Sequence, residues 1–226
     1  MPPAHPFDDD KLKEECGVFG VVGVTDAANF VALGLHALQH RGQEAGGIVS
    51  YHPDHGFNSA RRFGYVRDNF TKQSLMETLP GDLAIGHVRY STAGDSRIAN
   101  AQPILIDCVH GEIALCHNGN LINAPELRAD LVGQGCIFQT NSDTEVVLHL
   151  YARSKAPTPE DAIVESVTQV RGAFSATVAA GADDALPSRP SHTAIRTGRR
   201  ARNETGIATH ALSVSSVAAQ QARALL

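Results

Sequence analysis

An α+β fold is predicted for this 226-residue chain, with antiparallel sheets packed in layers and covered by helices, on three observations. Short apolar runs with β-branched residues recur along the chain and are mostly joined by hairpin-like connections. Stretches with helical periodicity come in separate groups rather than alternating one for one with the strands. No internal repeat of fixed period is visible, which sets solenoids and propellers aside. The length is ample for a sizeable core in one or two domains.

The elements follow in order. Cys16 to Gly23 is an apolar run with repeated glycines, expected to be a buried strand closely approached by other backbone. Ala28 to Gln39 is an amphipathic helix, since Val31, Leu35 and Leu38 share one face, and Gly42 suits its end. Gly46 to Tyr51 returns as a strand, Arg61 to Val66 is a weaker one, and Lys72 to Leu79 is a short helix stopped by Pro80-Gly81. Leu83 to Tyr90 is the next strand and runs into the polar loop Ser91 to Asp95. Gln102 to Cys108 and Glu112 to Cys116 flank His110-Gly111 as a hairpin. Asn118-Gly119 carries a strong tight-turn signal. Asn123 to Glu126, Ser142 to Glu145 and Thr158 to Glu160 each open a helix, the first two in capping-box form, and Ala173 to Ala180 is a last strand.

Composition narrows the function classes. A net charge of −5 gives no electrostatic case for binding nucleic acid or an anionic membrane. No apolar run approaches the roughly 20 residues of a membrane helix. Residues 1–15 form a polar, acidic leader without the hydrophobic segment of a secretory signal. The four cysteines, Cys16, Cys108, Cys116 and Cys136, form no metal-ligand spacing, and a reducing, cytoplasmic setting is expected. Charge is uneven: residues 1–180 hold 13 basic and 21 acidic residues, net −8, and residues 181–226 hold 6 and 3, net +3, with no aromatic residue. A boundary is therefore expected near Ala180.

Polar residues cluster at the ends of the apolar strands, where a scaffold presents a site. Cys16 has two readings, a buried structural cysteine or, with the leader removed, a first residue carrying thiol and free α-amine together. Arg89 is a surface charge or an anion ligand, and Asp143 a helix-dipole residue or a cation ligand. His87 and His117 are satisfied core histidines or site residues.

Five ordered motifs resolve these alternatives: Cys16-Gly17-Val18-Phe19-Gly20, Leu38 to Glu44 (LQHRGQE), Gly86 to Gly94 (GHVRYSTAG), His117-Asn118-Gly119-Asn120 and Asn141 to Glu145 (NSDTE). Together they resemble the glutaminase domain of the amidophosphoribosyltransferases, which open de novo purine synthesis. The resemblance covers Glu15 to about Ala180. Glutaminase domains of sugar-phosphate aminotransferases share the cysteine, the Asn-Gly pair and the Ser-Asp-Thr-Glu box, but differ at the second and third motifs. The resemblance implies a four-layer αββα N-terminal nucleophile hydrolase sandwich, incomplete at its C-terminal end.

It further implies roles. Cys16, freed by autocatalytic loss of residues 1–15, attacks the side-chain amide of L-glutamine and forms a thioester. A thiol of pKa about 8.5 beside an α-amine of about 7.7–8.0 gives nucleophile and base near neutral pH. Asn118 and Gly119 supply oxyanion donors, each worth roughly 3 kcal/mol. Arg89 grips the substrate carboxylate and Asp143 its ammonium, while Thr92, Arg41 and the surroundings of His87 shape the pocket.

Beyond residue 180 the phosphoribosyltransferase signature of the full-length family is not found, and residues 181–226 are expected to be an aberrant or frameshifted tail. Phosphoribosylpyrophosphate, magnesium, a [4Fe–4S] cluster and homo-oligomerisation then belong to full-length relatives, and no cofactor is expected in this chain. The last strand is expected to leave a sheet edge unpaired. The competing readings are the glutaminase domain of a sugar-phosphate aminotransferase and a non-catalytic remnant that keeps its leader.

Overall fold

The computed structural model describes residues 16–90 and 97–180, together with the backbone of residues 194–201. Two four-stranded sheets, every pairing antiparallel, make up its centre. The first contains β1 (Gly17–Val22), β2 (Ala45–His52), β3 (Gly56–Phe63) and β4 (Leu83–Arg89), in the order β1-β4-β2-β3. The second contains β5 (Ile104–Cys108), β6 (Gly111–Leu121), β7 (Gly172–Ala180) and β8 (Ala194–Ala201), in chain order. Helices α1 (Ala27–Ala37), α2 (Val66–Asn69) and α3 (Gln73–Met76) belong to the first half; α4 (Ala124–Gly133), α5 (Thr144–Arg153) and α6 (Pro159–Gln169) belong to the second.

The period-two alternation of strand side chains sorts residues between layers. Along β4, Leu83 and Ile85 join the core between the sheets, and Ala84 and Val88 join the core beneath α1. Along β6, Ala114 and Cys116 meet the first sheet, and Ile113 and Leu115 pack with the helices of the second half. Val31 and Leu35 of α1 are fully buried against the first sheet; Val146, Val147 and Leu150 of α5 join the core of the second. The result is the expected α+β sandwich of helix, sheet, sheet and helix layers.

Several local expectations shift. The weak strand lies at Gly56–Phe63 rather than Arg61 to Val66, because β2 and β3 pair from His52↔Gly56 to Ala45↔Phe63 and Val66 opens α2. Asn118-Gly119 is not a tight turn: β6 continues through it to Leu121, paired with β7 across Asn118↔Ser175 and Gly119↔Phe174. At two of the three helix starts a side chain accepts from an N–H of the first turn: Thr158 from Asp161, and Ser142 Oγ from Thr144 at 3.3 Å. Neither capping box closes on its helix; Glu145 instead accepts from the N–H groups of Gln139 and Thr140. Nor is the outer edge of β7 left open, since β8 pairs with it from Ala173↔Ala201 to Ala180↔Ala194. Pairing is a main-chain matter, so a strand can form there without a recognisable motif.

Candidate functional site

Cys16 stands immediately before β1, whose first pair is Gly17↔Val88, and so lies beside the end of β4. Its φ of 63° is a left-handed conformation, costly for a residue with a side chain and found where surroundings over-determine it. Both of its peptide groups are held. Its N–H donates to the Arg41 carbonyl at 2.8 Å. Its own carbonyl accepts from Arg41 Nε at 2.7 Å and from Asn118 Nδ2 at 3.3 Å. The Tyr90 N–H donates to Sγ at 3.4 Å, and Sγ donates to the Tyr90 carbonyl at 3.7 Å.

The two sheets bring the other expected residues here by continuing their alternation. His87 and Arg89 extend the inward set of β4, and Asn118 extends the inward set of β6 until it reaches Cys16 across the layer. A cavity of about 730 Å³ opens at this point, with Cys16, His87, Arg89, Gly119, Arg128 and Asp143 in its wall. Gly119 is obligatory: its φ is +133°, and a Cβ there would sit 2.3 Å from the Ala173 carbonyl oxygen. Arg41 is buried and holds Cys16 from behind instead of facing the cavity. Thr92 lies outside the described residues.

Charge in the cavity is organised by pairs. Arg89 Nε lies 3.9 Å from Glu44 Oε2, and its buried Nη1 has no hydrogen-bond partner among the described residues. Such an atom is an unsatisfied buried donor on a side chain that lines the cavity. Asp143 Oδ2 lies 3.3 Å from His117 Nε2 and accepts from the Leu121 N–H at 3.2 Å. Burial pushes the Asp143 carboxyl up, but the hydrogen bond and charge of His117 and the N–H groups of Leu121 and Thr144 outweigh it, leaving it below its ordinary value. The other ring nitrogen of His117, Nδ1, meets Thr144 Oγ1 at 2.7 Å, which anchors the ring on that side. His87 is driven down to about 3, first by burial, then by the nearby His117; it is a neutral ring in the wall.

Sequence reasoning missed the supporting groups. Glu44 stood inside a quoted motif without a role, and Arg128, Asn100 and Gln102 carried no signal at all. Gln102 Oε1 accepts from the His117 N–H at 2.7 Å, carrying the sheet ladder past the end of β5. Among the described residues no group of three or more His, Cys, Asp or Glu side chains is arranged to hold a metal ion. Cys116, fully buried between the sheets with its thiol pushed up by that burial, does not fit as a cluster ligand.

A family model described as a glutamine amidotransferase domain matches residues 87–189. The amidophosphoribosyltransferase of Rhizobium etli is 48% identical over 175 residues, covering 77% of this chain and 35% of that protein. That of Staphylococcus aureus is 46% identical over 191 residues, covering 84% and 38%. A chloroplastic relative from Arabidopsis thaliana is 49% identical over 168 residues, covering 74% and 31%. Among solved structures, the glutamine phosphoribosylpyrophosphate amidotransferase of B. subtilis superposes with a TM-score of 0.66 at 40% identity, over 72% of this chain and 35% of that one. The chain thus spans about a third of the length of the relatives it matches. What this chain carries is the N-terminal class II glutamine amidotransferase domain of the amidophosphoribosyltransferase family, in its N-terminal nucleophile hydrolase fold.

Proposed function

We propose that the cavity hydrolyses the side-chain amide of L-glutamine and releases ammonia, with Cys16 as nucleophile. The observation that carries this reading is that one cavity wall holds Cys16, Arg89 and Asp143. An α-amino acid presents the matching set: an amide for the thiol, a carboxylate for the guanidinium and an ammonium for the carboxylate.

The Cys16 sulfur attacks the amide carbon, the C–S bond forms, and the carbonyl oxygen becomes an oxyanion. Asn118 Nδ2 and the Gly119 N–H serve as its donors, supported by the reach of Asn118 to Cys16 and by the bare backbone at Gly119. The α-amine of Cys16 takes the thiol proton and delivers it to the leaving nitrogen. The C–N bond breaks, ammonia departs, and water cleaves the thioester to glutamate. While residues 1–15 remain attached, that nitrogen is an amide and is no base. Removal of the leader is accordingly the activating step. The Cys16 N–H bond to the Arg41 carbonyl gives a freed amine a ready acceptor that holds it beside the sulfur.

Transfer of the ammonia to phosphoribosylpyrophosphate, as in the relatives' names, is proposed for a full-length protein of this family, as are magnesium, a [4Fe–4S] cluster and homo-oligomers. The described residues fit neither metal group, and no step here runs through one. A cytoplasmic setting is proposed on Cys108, Cys116 and Cys136, which form no disulfide; no helix among the described residues is long and apolar enough to cross a membrane.

Intact mass together with ammonia release from glutamine tests the reading. A mature start at Cys16 with turnover is expected, and Cys16→Ala loses both turnover and leader cleavage. Ammonia release that survived Cys16→Ala would assign the nucleophile elsewhere.

A further inference from the structure

The stretch that delivers Asp143 to the cavity is a loop, and side chains from three separate places grip its main chain. Arg128 on α4 splits its guanidinium between two carbonyls, Nη1 to Thr140 at 2.9 Å and Nη2 to Ser142 at 2.7 Å. The same group lies 4.0 Å over the Phe138 ring, which fixes its plane. Glu145, buried in the first turn of α5, accepts from the N–H of Gln139 and of Thr140, both at 2.8 Å, and from Thr140 Oγ1 at 2.7 Å. Asn100 Oδ1 accepts from the Asn141 N–H at 3.1 Å. Every residue from 139 to 142 therefore has a main-chain group bound by a side chain other than its own.

A loop has no ladder to hold it, and a charge that reads a ligand loses its discrimination once displaced by a fraction of an ångström. Buried groups of this strength are satisfied only in one geometry: the planar fork of Arg128 needs both carbonyls, and the Glu145 carboxylate needs its three donors. The arrangement holds the loop rigid and leaves the Asp143 side chain in the cavity wall.

We propose that Arg128 and Glu145 are positioning residues that set the preference for substrates bearing a free α-ammonium group, acting through Asp143. The inference rests on the reading of Asp143 as the ammonium ligand.

The test compares ammonia release by the full chain from L-glutamine and from glutaramate, which lacks only the α-amino group. The parent is expected to prefer glutamine in kcat/KM by about tenfold or more, a preference that Asp143→Asn removes. Arg128→Lys keeps the charge without the fork, and Glu145→Gln keeps the volume without the carboxylate. Each is expected to cut the preference by about fivefold or more, with the loss carried by the KM for glutamine rather than kcat. If both variants slow the two substrates alike and leave the preference intact, the residues are merely structural and the proposal is overturned. Equal weakening of both substrates by Arg128→Lys alone, with Glu145→Gln unchanged, marks direct contact with the shared carboxylate and overturns it too. Should Arg128→Lys not fold, Glu145→Gln decides by the same ratio. If Asp143→Asn keeps the parent's preference, the assignment of Asp143 has failed, and the positioning role falls with it.

Discussion

At the scale of single residues, the site is defined as much by what is missing as by what reacts. Gly119 has no side chain because the β7 backbone occupies the place where one would go. Gly119→Ala is expected to cost about 1–3 kcal/mol or more of stability, as in other overpacked positions, and to displace the neighbouring Asn118 from Cys16. Denaturant titration reads the first effect; ammonia release from glutamine, expected to fall more than stability alone accounts for, reads the second. Asn118 itself was legible as a residue of consequence from its motif, but not its setting. Asn-Gly is a turn signal in isolation, and only the partner strand β7, 55 residues further on, makes it a paired strand segment. Arg128 was illegible for a different reason. A surface arginine on a helix has no sequence mark that tells it from one whose fork closes on a distant loop.

Among the elements, α1 is the one whose sequence pattern and structural duty coincide most closely. Val31, Leu35 and Leu38 share the face that the periodicity assigns, and Leu35 is completely buried against the first sheet. The approach is close enough that a Cβ at Gly86 of β4 would stand 2.5 Å from Val31. Leu35→Ala leaves a cavity under rigid backbone and is expected to cost about 2–5 kcal/mol, measured as a drop in the denaturation midpoint at unchanged slope. Strands β1, β2, β4 and β7 were legible within two residues at their ends because apolar runs leave a dense signal, and β2 and β4 are buried on both faces. Strand β3 was placed late because its half-exposed residues alternate weakly, and the helix starts were found while their capping chemistry was not. In Ser142 to Glu145 the carboxylate serves the preceding loop, a long-range choice that a local box pattern does not encode.

For the molecule as a whole, the stacking of two sheets sets a pH dependence. His87 is neutral in the fold, held from an ordinary 6.5 down to about 3 by burial, by His117 and by Arg89. Between those two values the unfolded chain binds a proton that the folded chain refuses, so stability rises with pH across that window and is lost as pH falls through it. The slope amounts to about 1.4 kcal/mol per pH unit at most for a single group. Denaturant midpoints measured from pH 7 down to pH 4 are expected to fall for the parent and to fall less steeply for His87→Gln. Equal slopes in the two proteins would show that the ring takes up a proton without unfolding. The layered α+β architecture was legible from hairpins and grouped helices. Which faces turn toward one another was not, because it depends on strand order, β1-β4-β2-β3, and not on any one strand.

The grip on residue 16 has a consequence for how such an enzyme is assembled. First residues of a chain ordinarily fray, and the proposed leader removal would make Cys16 one; yet the bonds described for it run to positions 41, 90 and 118, all later in the polypeptide. Among the described residues its seat is furnished from downstream, and under the proposed function it is the removal of the preceding segment that activates the site. A polypeptide whose opening cysteine is unmasked by a foreign endopeptidase should therefore turn over glutamine as fast as one that trims itself.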